Sequence, residues 1–376
     1  MKLSIPIKGI QSQTKKDTLI IQSREPLKAL SSATLNGGLH ETRAIIVHRI
    51  LHMPETDTDA SVRVLLENVV ASLGLPEPVI GFTTGVDVRN VAVANEQEQG
   101  LTISALVTAG ISYSVTAGDA MPFRSKAIGT INIILLIDAN LTEACIVDAV
   151  KTVTEAKSVA LGGIDVRSYI SGELASGTIT DGIVVAYTGQ GEPIKYAGTA
   201  TLLGELISKA VRRAVNEAIR KQEGVIPNRP LIKRLEERGI NFGDILNTAL
   251  ELCAPYEGIE TREKASQLLK DGLDRVLSNV NVAALVMAGL RLQEDGGRGL
   301  IPGLPANIFE EGPAFLVADK ILGMSIANYI GGSEGVFEYT RFDKAKQGPL
   351  MRAGAVSNDV ILGIIAGICA RVRASI

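Results

Sequence analysis

Residues 127–161 read AIGTINIILLIDANLTEACIVDAVKTVTEAKSVAL. The run from Ile131 to Ile137 concentrates β-branched and aliphatic side chains in a stretch of strand length, and Asp138 ends it. Leu141, Cys145, Ile146, Ala149, Val150, Val153 and Val159 then recur at spacings that mostly match one helical face, with Asn140 or Thr142 placed to cap its start. A buried strand feeding a long amphipathic helix is the unit of a sheet covered by helices.

Working outward, TLIIQS from Thr18, RAIIVHRIL from Arg43, LTISALVTAG from Leu101 and DGIVVAY from Asp181 repeat the strand signal. A second helix is expected from about Thr199 to Lys221, and GVIPNRP then interrupts the pattern with glycine and two prolines. The domain boundary is placed at Gly224 to Pro230. Beyond it, helical patterns cover Leu231 to Glu237, Phe242 to Cys253, Thr261 to Leu290, Pro313 to Ile330 and Asp359 to Arg373. The expectation is an α/β domain with a mixed sheet over residues 1–224 and an all-α domain over 229–376.

Composition narrows the function. The 376 residues suit two cores rather than one. Thirty-eight basic against 41 acidic residues give a net charge of -3, which offers no global attraction to nucleic acid or anionic lipid. Apolar runs such as Ile131 to Ile137 and Val360 to Ala370 fall short of the ~20 residues that span a bilayer, so neither nucleic acid nor membrane is an expected partner. Cys145, Cys253 and Cys369 are far apart and odd in number, which points away from a disulfide framework and toward a reducing cytoplasm. Oligomeric state is not legible.

Several stretches carry chemistry. LSSATLNGGL, Leu30 to Leu39, sets Ser31, Ser32, Asn36, Gly37 and Gly38 between strands, where it reads as a plain turn or as a loop whose N–H groups approach a ligand. His40 follows it. Asn132 is a buried amide that needs partners. In TEAK, Glu155 and Lys157 point about 200° apart on a helix and do not pair directly. Strand alternation puts Thr178 and Thr180 on one face, next to Asp181. Amide hydrolysis needs an attacking oxygen, a base and an oxyanion stabiliser, which these residues could supply. His48 and His52 are four apart, but the HExxH glutamate is missing and the flank favours a strand, so a metal role is disfavoured.

LSSATLNGGL, GFTTGVDV (81–88), VTAGIS (107–112), the 127–161 stretch, SGTITD (176–181) and YAGTATLLGELISKAV (196–211) together resemble the adenosylcobinamide amidohydrolase family. The resemblance implies hydrolysis of the amide that joins the aminopropanol arm to the corrin ring, with a corrinoid as substrate and no cofactor. It carries Asn132, Glu155, Lys157, Thr178, Thr180 and Asp181 as catalytic candidates, and Ser31, Ser32, Asn36, Gly37, Gly38 and His40 as substrate-binding ones. His48 departs from the family pattern, which favours Asn.

Residues 229 to 370, through 281–303, LVADKILGMSIANYIGGSEGVFEYTRFDKAKQG (316–348) and NDVILGIIAG (358–367), resemble the alpha-ribazole-5'-phosphate phosphatases related to phosphatidylglycerophosphatase A. The domain order is similar to that of archaeal bifunctional cobinamide hydrolase/alpha-ribazole phosphatases. The resemblance implies magnesium held by carboxylates, with Asp319, Asp343, Lys346 and Asp359 as the site and Asp319 and Asp359 as metal ligands. Yet Lys320, Asn358, Gly312 and Asn279 stand where that pattern has acidic residues, so weak magnesium binding is expected. Two other readings are a non-catalytic corrinoid binder, against which the missing DxHxxG pattern counts, and a lipid phosphatase.

Overall fold

The computed structural model describes residues 2–51, 59–120, 130–253, 261–312, 316–345 and 355–374. His52, Gly129, Pro313, Lys346 and Gln347 lie outside the described residues. The chain forms two compact units, Met1–Pro227 and Asn228–Ile376. The first is a mixed sheet with helices and the second is helical.

The sheet of the first unit contains β1 (Ile10–Lys15), β2 (Thr18–Ser31), β3 (Gly38–Arg49), β4 (Val79–Thr84), β5 (Ala92–Glu98), β6 (Leu101–Ala109), β8 (Ile131–Ile137) and β11 (Gly182–Tyr187). Short pairs β7 (Ser114–Val115) with β10 (Gly177–Thr178), and β9 (Asn140–Leu141) with β12 (Pro193–Ile194), lie outside it. The order is β4-β3-β2-β11-β8-β6-β5, with β1 paired to β2. β8 and β11 run parallel, as do β3 and β4, and the remaining neighbours are antiparallel. All seven residues of β8 are buried, the pattern of a central strand covered on both faces.

α1 (Asp59–Leu73) packs over one side of the sheet, its Val62, Leu66 and Val70 meeting Ile20, Ile46 and Val79. α2 (Glu143–Gly163) and α3 (Leu202–Glu223) share the other core, where Ile146, Val153, Ile207 and Val211 meet Ile133, Leu135 and Val185. Of the two cap candidates, Thr142 does the work: its hydroxyl accepts from Cys145 N at 3.2 Å. Asn140 instead donates to Gly191 O at 3.3 Å. β1, β4 and β5 escape the sequence reading because they are short and half polar or glycine-broken, as in VIGFTT and AVANEQE.

The second unit contains α4 (Leu231–Glu236), α5 (Phe242–Cys253), α6 (Arg262–Leu277), α7 (Val280–Gly297), α8 (Ala306–Glu310), α9 (Ala318–Ala345) and α10 (Ala355–Ala374); all but α8 share one apolar core, and Phe309 of α8 packs with Leu304 and Val356 in a smaller one. The helix expected from Thr261 to Leu290 is two helices. Asn279 ends the run because its side chain accepts from Asn281 N and Val282 N and caps α7. α9 begins at Ala318, and its first half ends within two residues of the expected Ile330. It breaks at Gly332, whose φ of 66° and ψ of -152° no helix contains, and its second half doubles back. Lys320 and Asp343, ~35 Å apart along a straight helix of that spacing, therefore meet.

Cys253 on α5 and Cys369 on α10, 116 residues apart in the chain, meet side by side with Cα atoms 5.9 Å apart, and Cys145 is buried in the first unit. Sequence distance says nothing about helices that pack side by side. Among the described residues no single helix is long and apolar enough to cross a membrane.

Candidate active site and a helical carboxylate cluster

The first unit gathers its chemistry where β8 and β11 begin. Parallel register sets Gly182 beside Asn132, so Asp181 stands immediately before its strand at the same sheet edge. Asp181 is a hub. Its Oδ2 pairs with the Lys157 ammonium, and its Oδ1 accepts from Thr178 Oγ1 at 2.5 Å, Thr178 N at 3.1 Å and Ile131 N at 3.2 Å. The Lys157 and Asp181 side chains are only 8% and 12% exposed, so the pair is shielded from solvent and salt.

Lys157 reaches the hub from the sheet-facing side of α2, the same face as Val153 and Ala160. Asn132 is 2% exposed; its Nδ2 donates to Thr83 O at 3.1 Å, which ties β8 to the end of β4. A Cβ on Gly182 would lie 2.5 Å from Asn132 Oδ1 and 2.6 Å from the Phe82 ring, so only glycine lets that amide and ring close together. Phe82 and Thr83 were not singled out in the sequence, although GFTTGVDV contains both.

Ser31 and Ser32 sit at the neighbouring strand end. Ser31 Oγ accepts from Ala33 N at 3.0 Å, and Ser32 Oγ accepts from Ile183 N at 3.0 Å, one residue into β11. The following loop is fixed to β4: Asn36, at a φ of 55°, donates to Val79 O at 2.7 Å, and Leu35 and Gly81 exchange backbone bonds. Gly37 O lies 2.8 Å from His40 Nε2, and His40 and Gly38 are exposed at the loop's rim.

Two candidates stand apart from the hub. Glu155 is exposed on α2, one turn from Lys151. Thr180 is exposed in the turn after β10, so the alternation that would share its face with Thr178 is broken; only its carbonyl takes part, accepting from Thr130 Oγ1 at 2.5 Å. His48 lies on β3, where Thr18 Oγ1 meets its Nδ1 at 2.8 Å. Burial pushes its imidazole below the ordinary value of 6.5, against the pull of Asp17. Among the described residues no group of three His, Cys, Asp or Glu is arranged to hold a metal ion.

In the second unit the lysine at position 320 decides the electrostatics. Its Nζ donates to Asp343 Oδ1 at 2.5 Å and to Asp359 Oδ1 at 3.0 Å. Tyr339 OH donates to Asp359 Oδ1 at 2.8 Å, and Asp319 Oδ1 accepts from Lys320 N at 2.8 Å. Burial opposes the Lys320 charge, but the two carboxylates win and raise its pKa. Burial also raises the Asp359 carboxyl, with Tyr339 and Lys320 holding it back. A divalent ion needs several carboxylate oxygens converging on it at about 2.0–2.6 Å. Here an ammonium already stands between two of them, so the residues present do not fit the magnesium ion that the resemblance implies.

The geometry thus defines a mixed α/β unit with a lysine–aspartate–threonine site. A profile of the adenosylcobinamide amidohydrolase family matches residues 4–227. An "Adenosylcobinamide amidohydrolase" of Methanosarcina mazei is 30% identical over 219 residues, covering 56% of this chain and 98% of that protein. An uncharacterized protein of Methanocaldococcus jannaschii is 33% identical over 244 residues, covering 59% of this chain and 92% of its own. The low temperature requirement C protein of Listeria monocytogenes is similar over 39% of this chain and 93% of that one, at 27% identity and a TM-score of 0.34. The chain belongs to the adenosylcobinamide amidohydrolase family.

Proposed function

We propose that the first unit hydrolyses the aminopropanol amide of adenosylcobinamide, giving adenosylcobyric acid. The observation that carries this reading is the Thr178 hydroxyl, which already donates to Asp181 Oδ1 at 2.5 Å while Lys157 holds the other carboxylate oxygen. In this scheme Thr178 Oγ1 attacks the amide carbon as its proton passes to Asp181. The Lys157 ammonium balances charge at the centre. The same proton then goes to the leaving aminopropanol nitrogen, the C–N bond breaks, and an ester on Thr178 remains until water cleaves it. Asn132 positions the β4 and β8 ends around the carbonyl, and the Ser31 to Gly38 loop takes the substrate's polar amide arms.

The second unit is read as an alpha-ribazole-5'-phosphate phosphatase scaffold whose hydrolysis is slow. Asp319, Asp343 and Asp359 support the scaffold reading, and Lys320 supports the loss of rate. The test offers the whole chain adenosylcobinamide, and separately alpha-ribazole phosphate with magnesium, and follows adenosylcobyric acid and inorganic phosphate. Fast turnover of the first with little of the second is expected. Phosphate release at a rate matching amide hydrolysis would contradict the reading of the second unit; failure of the first reaction would contradict that of the first.

A further inference from the structure

We propose that Lys320 is a resident cation: its ammonium occupies the position of a divalent ion in the second unit and keeps the carboxylate cluster together without metal. The inference deepens the reading of the second unit as a slow phosphatase scaffold and rests on it for the divalent ion, but its test reads metal binding and not turnover.

Four observations converge. First, one nitrogen is shared by Asp343 Oδ1 and Asp359 Oδ1, which come from the far half of α9 and from α10, so the ammonium joins two helical segments as a bridging ion would. Second, Asp359 is buried at 5% exposure and its Oδ1 also accepts from the Tyr339 hydroxyl, so this carboxylate cannot turn to solvent for neutralisation. Third, among the described residues the cluster is under-neutralised: Asp319, itself 9% exposed, sits next to Lys320 in the chain and adds a third carboxylate to those that the Lys320 ammonium holds. Fourth, the segments pack without a gap: a Cβ on Gly323 would lie 2.6 Å from Asp359 O and from the Tyr339 ring, so glycine there lets the segment carrying Lys320 approach α10 this closely.

Charge arithmetic then gives the consequence. Removing the ammonium leaves the carboxylates without the counter-charge that the described residues give them, an arrangement that either takes up protons or binds a hard cation. Replacing lysine by glutamate adds a further oxygen ligand at the same place. The chain as it stands excludes magnesium by having its own cation, and one substitution opens the site.

Calorimetric titration of the full chain with magnesium chloride, with manganese titration read by electron paramagnetic resonance as a second probe, tests this. The unaltered chain is expected to give no saturable binding below millimolar metal. Lys320→Glu is expected to bind at least tenfold more tightly, and Lys320→Arg, which keeps the charge, is expected to behave like the unaltered chain. Because Lys320→Glu can destabilise the unit, Lys320→Met is melted with and without magnesium, where a magnesium-dependent rise in melting temperature is expected. Micromolar binding by the unaltered chain would overturn the proposal. So would variants that bind no metal and melt alike with and without it.

Discussion

Each unit places a lysine on aspartate, and the two pairs work in opposite ways. Lys157 meets one carboxylate that still holds a threonine hydroxyl, so donors outnumber acceptors and a reactive oxygen is left poised at a strand end. Lys320 meets two carboxylates with a third beside it, so acceptors outnumber donors and the ammonium is consumed in holding them. An ion pair alone therefore does not mark chemistry. What distinguishes the sites is the group left over once the charges are matched.

The comparison breaks most visibly at Lys157. Lys157→Met strands a carboxylate that is 12% exposed, and loss of one partner of a buried pair costs about 3–5 kcal/mol. The prediction is a large fall in the denaturant midpoint of the first unit, partly recovered in the double variant with Asp181→Asn; a midpoint within experimental error of the unaltered chain would contradict it. A smaller effect is expected at Gly182→Ala, where the new methyl meets Asn132 Oδ1 and Phe82, a kind of overpacking that costs about 1–3 kcal/mol. Turnover should fall with it, because the β8–β11 register moves; unchanged melting would show that the Phe82 ring simply gives way.

The smallest effect is on pH dependence. The folded state holds His48 below its ordinary value of 6.5, so the unfolded chain takes up the proton first as pH falls. The associated stability is present above 6.5 and is lost as pH drops through the lower folded value. Melting curves of His48→Asn should be flatter than those of the unaltered chain below that pH. An equal slope would remove His48 from the account.

Legibility in the sequence followed physical locality. INIILLID and the helix after it were plain because burial on both faces and one helical stripe write continuous patterns. β5 was hidden because its outward face is polar; the helix end expected at Ile330 fell within two residues of the break at Gly332, but the helical half that doubles back after it was not read. In the site, Asp181 and Thr178 were three residues apart and visible together, and Lys157 was read with them from TEAK without the direct contact that folding makes. Glu155 was drawn in by sharing TEAK with Lys157, although helical geometry already turned it away. The Cys253–Cys369 pair and the Lys320–Asp343 contact depend on packing between distant helical segments, which no local pattern records.

The central claim is that Thr178 and Asp181 perform amide hydrolysis, and single-turnover conversion of adenosylcobinamide by four forms of the full chain tests it most directly. The unaltered chain and Glu155→Gln should form adenosylcobyric acid at rates within about twofold of each other. Thr178→Ala and Asp181→Asn should each lose about 10²–10⁴-fold. Thr178→Ala turning over within a few-fold of the unaltered chain, with Glu155→Gln inactive, would contradict it.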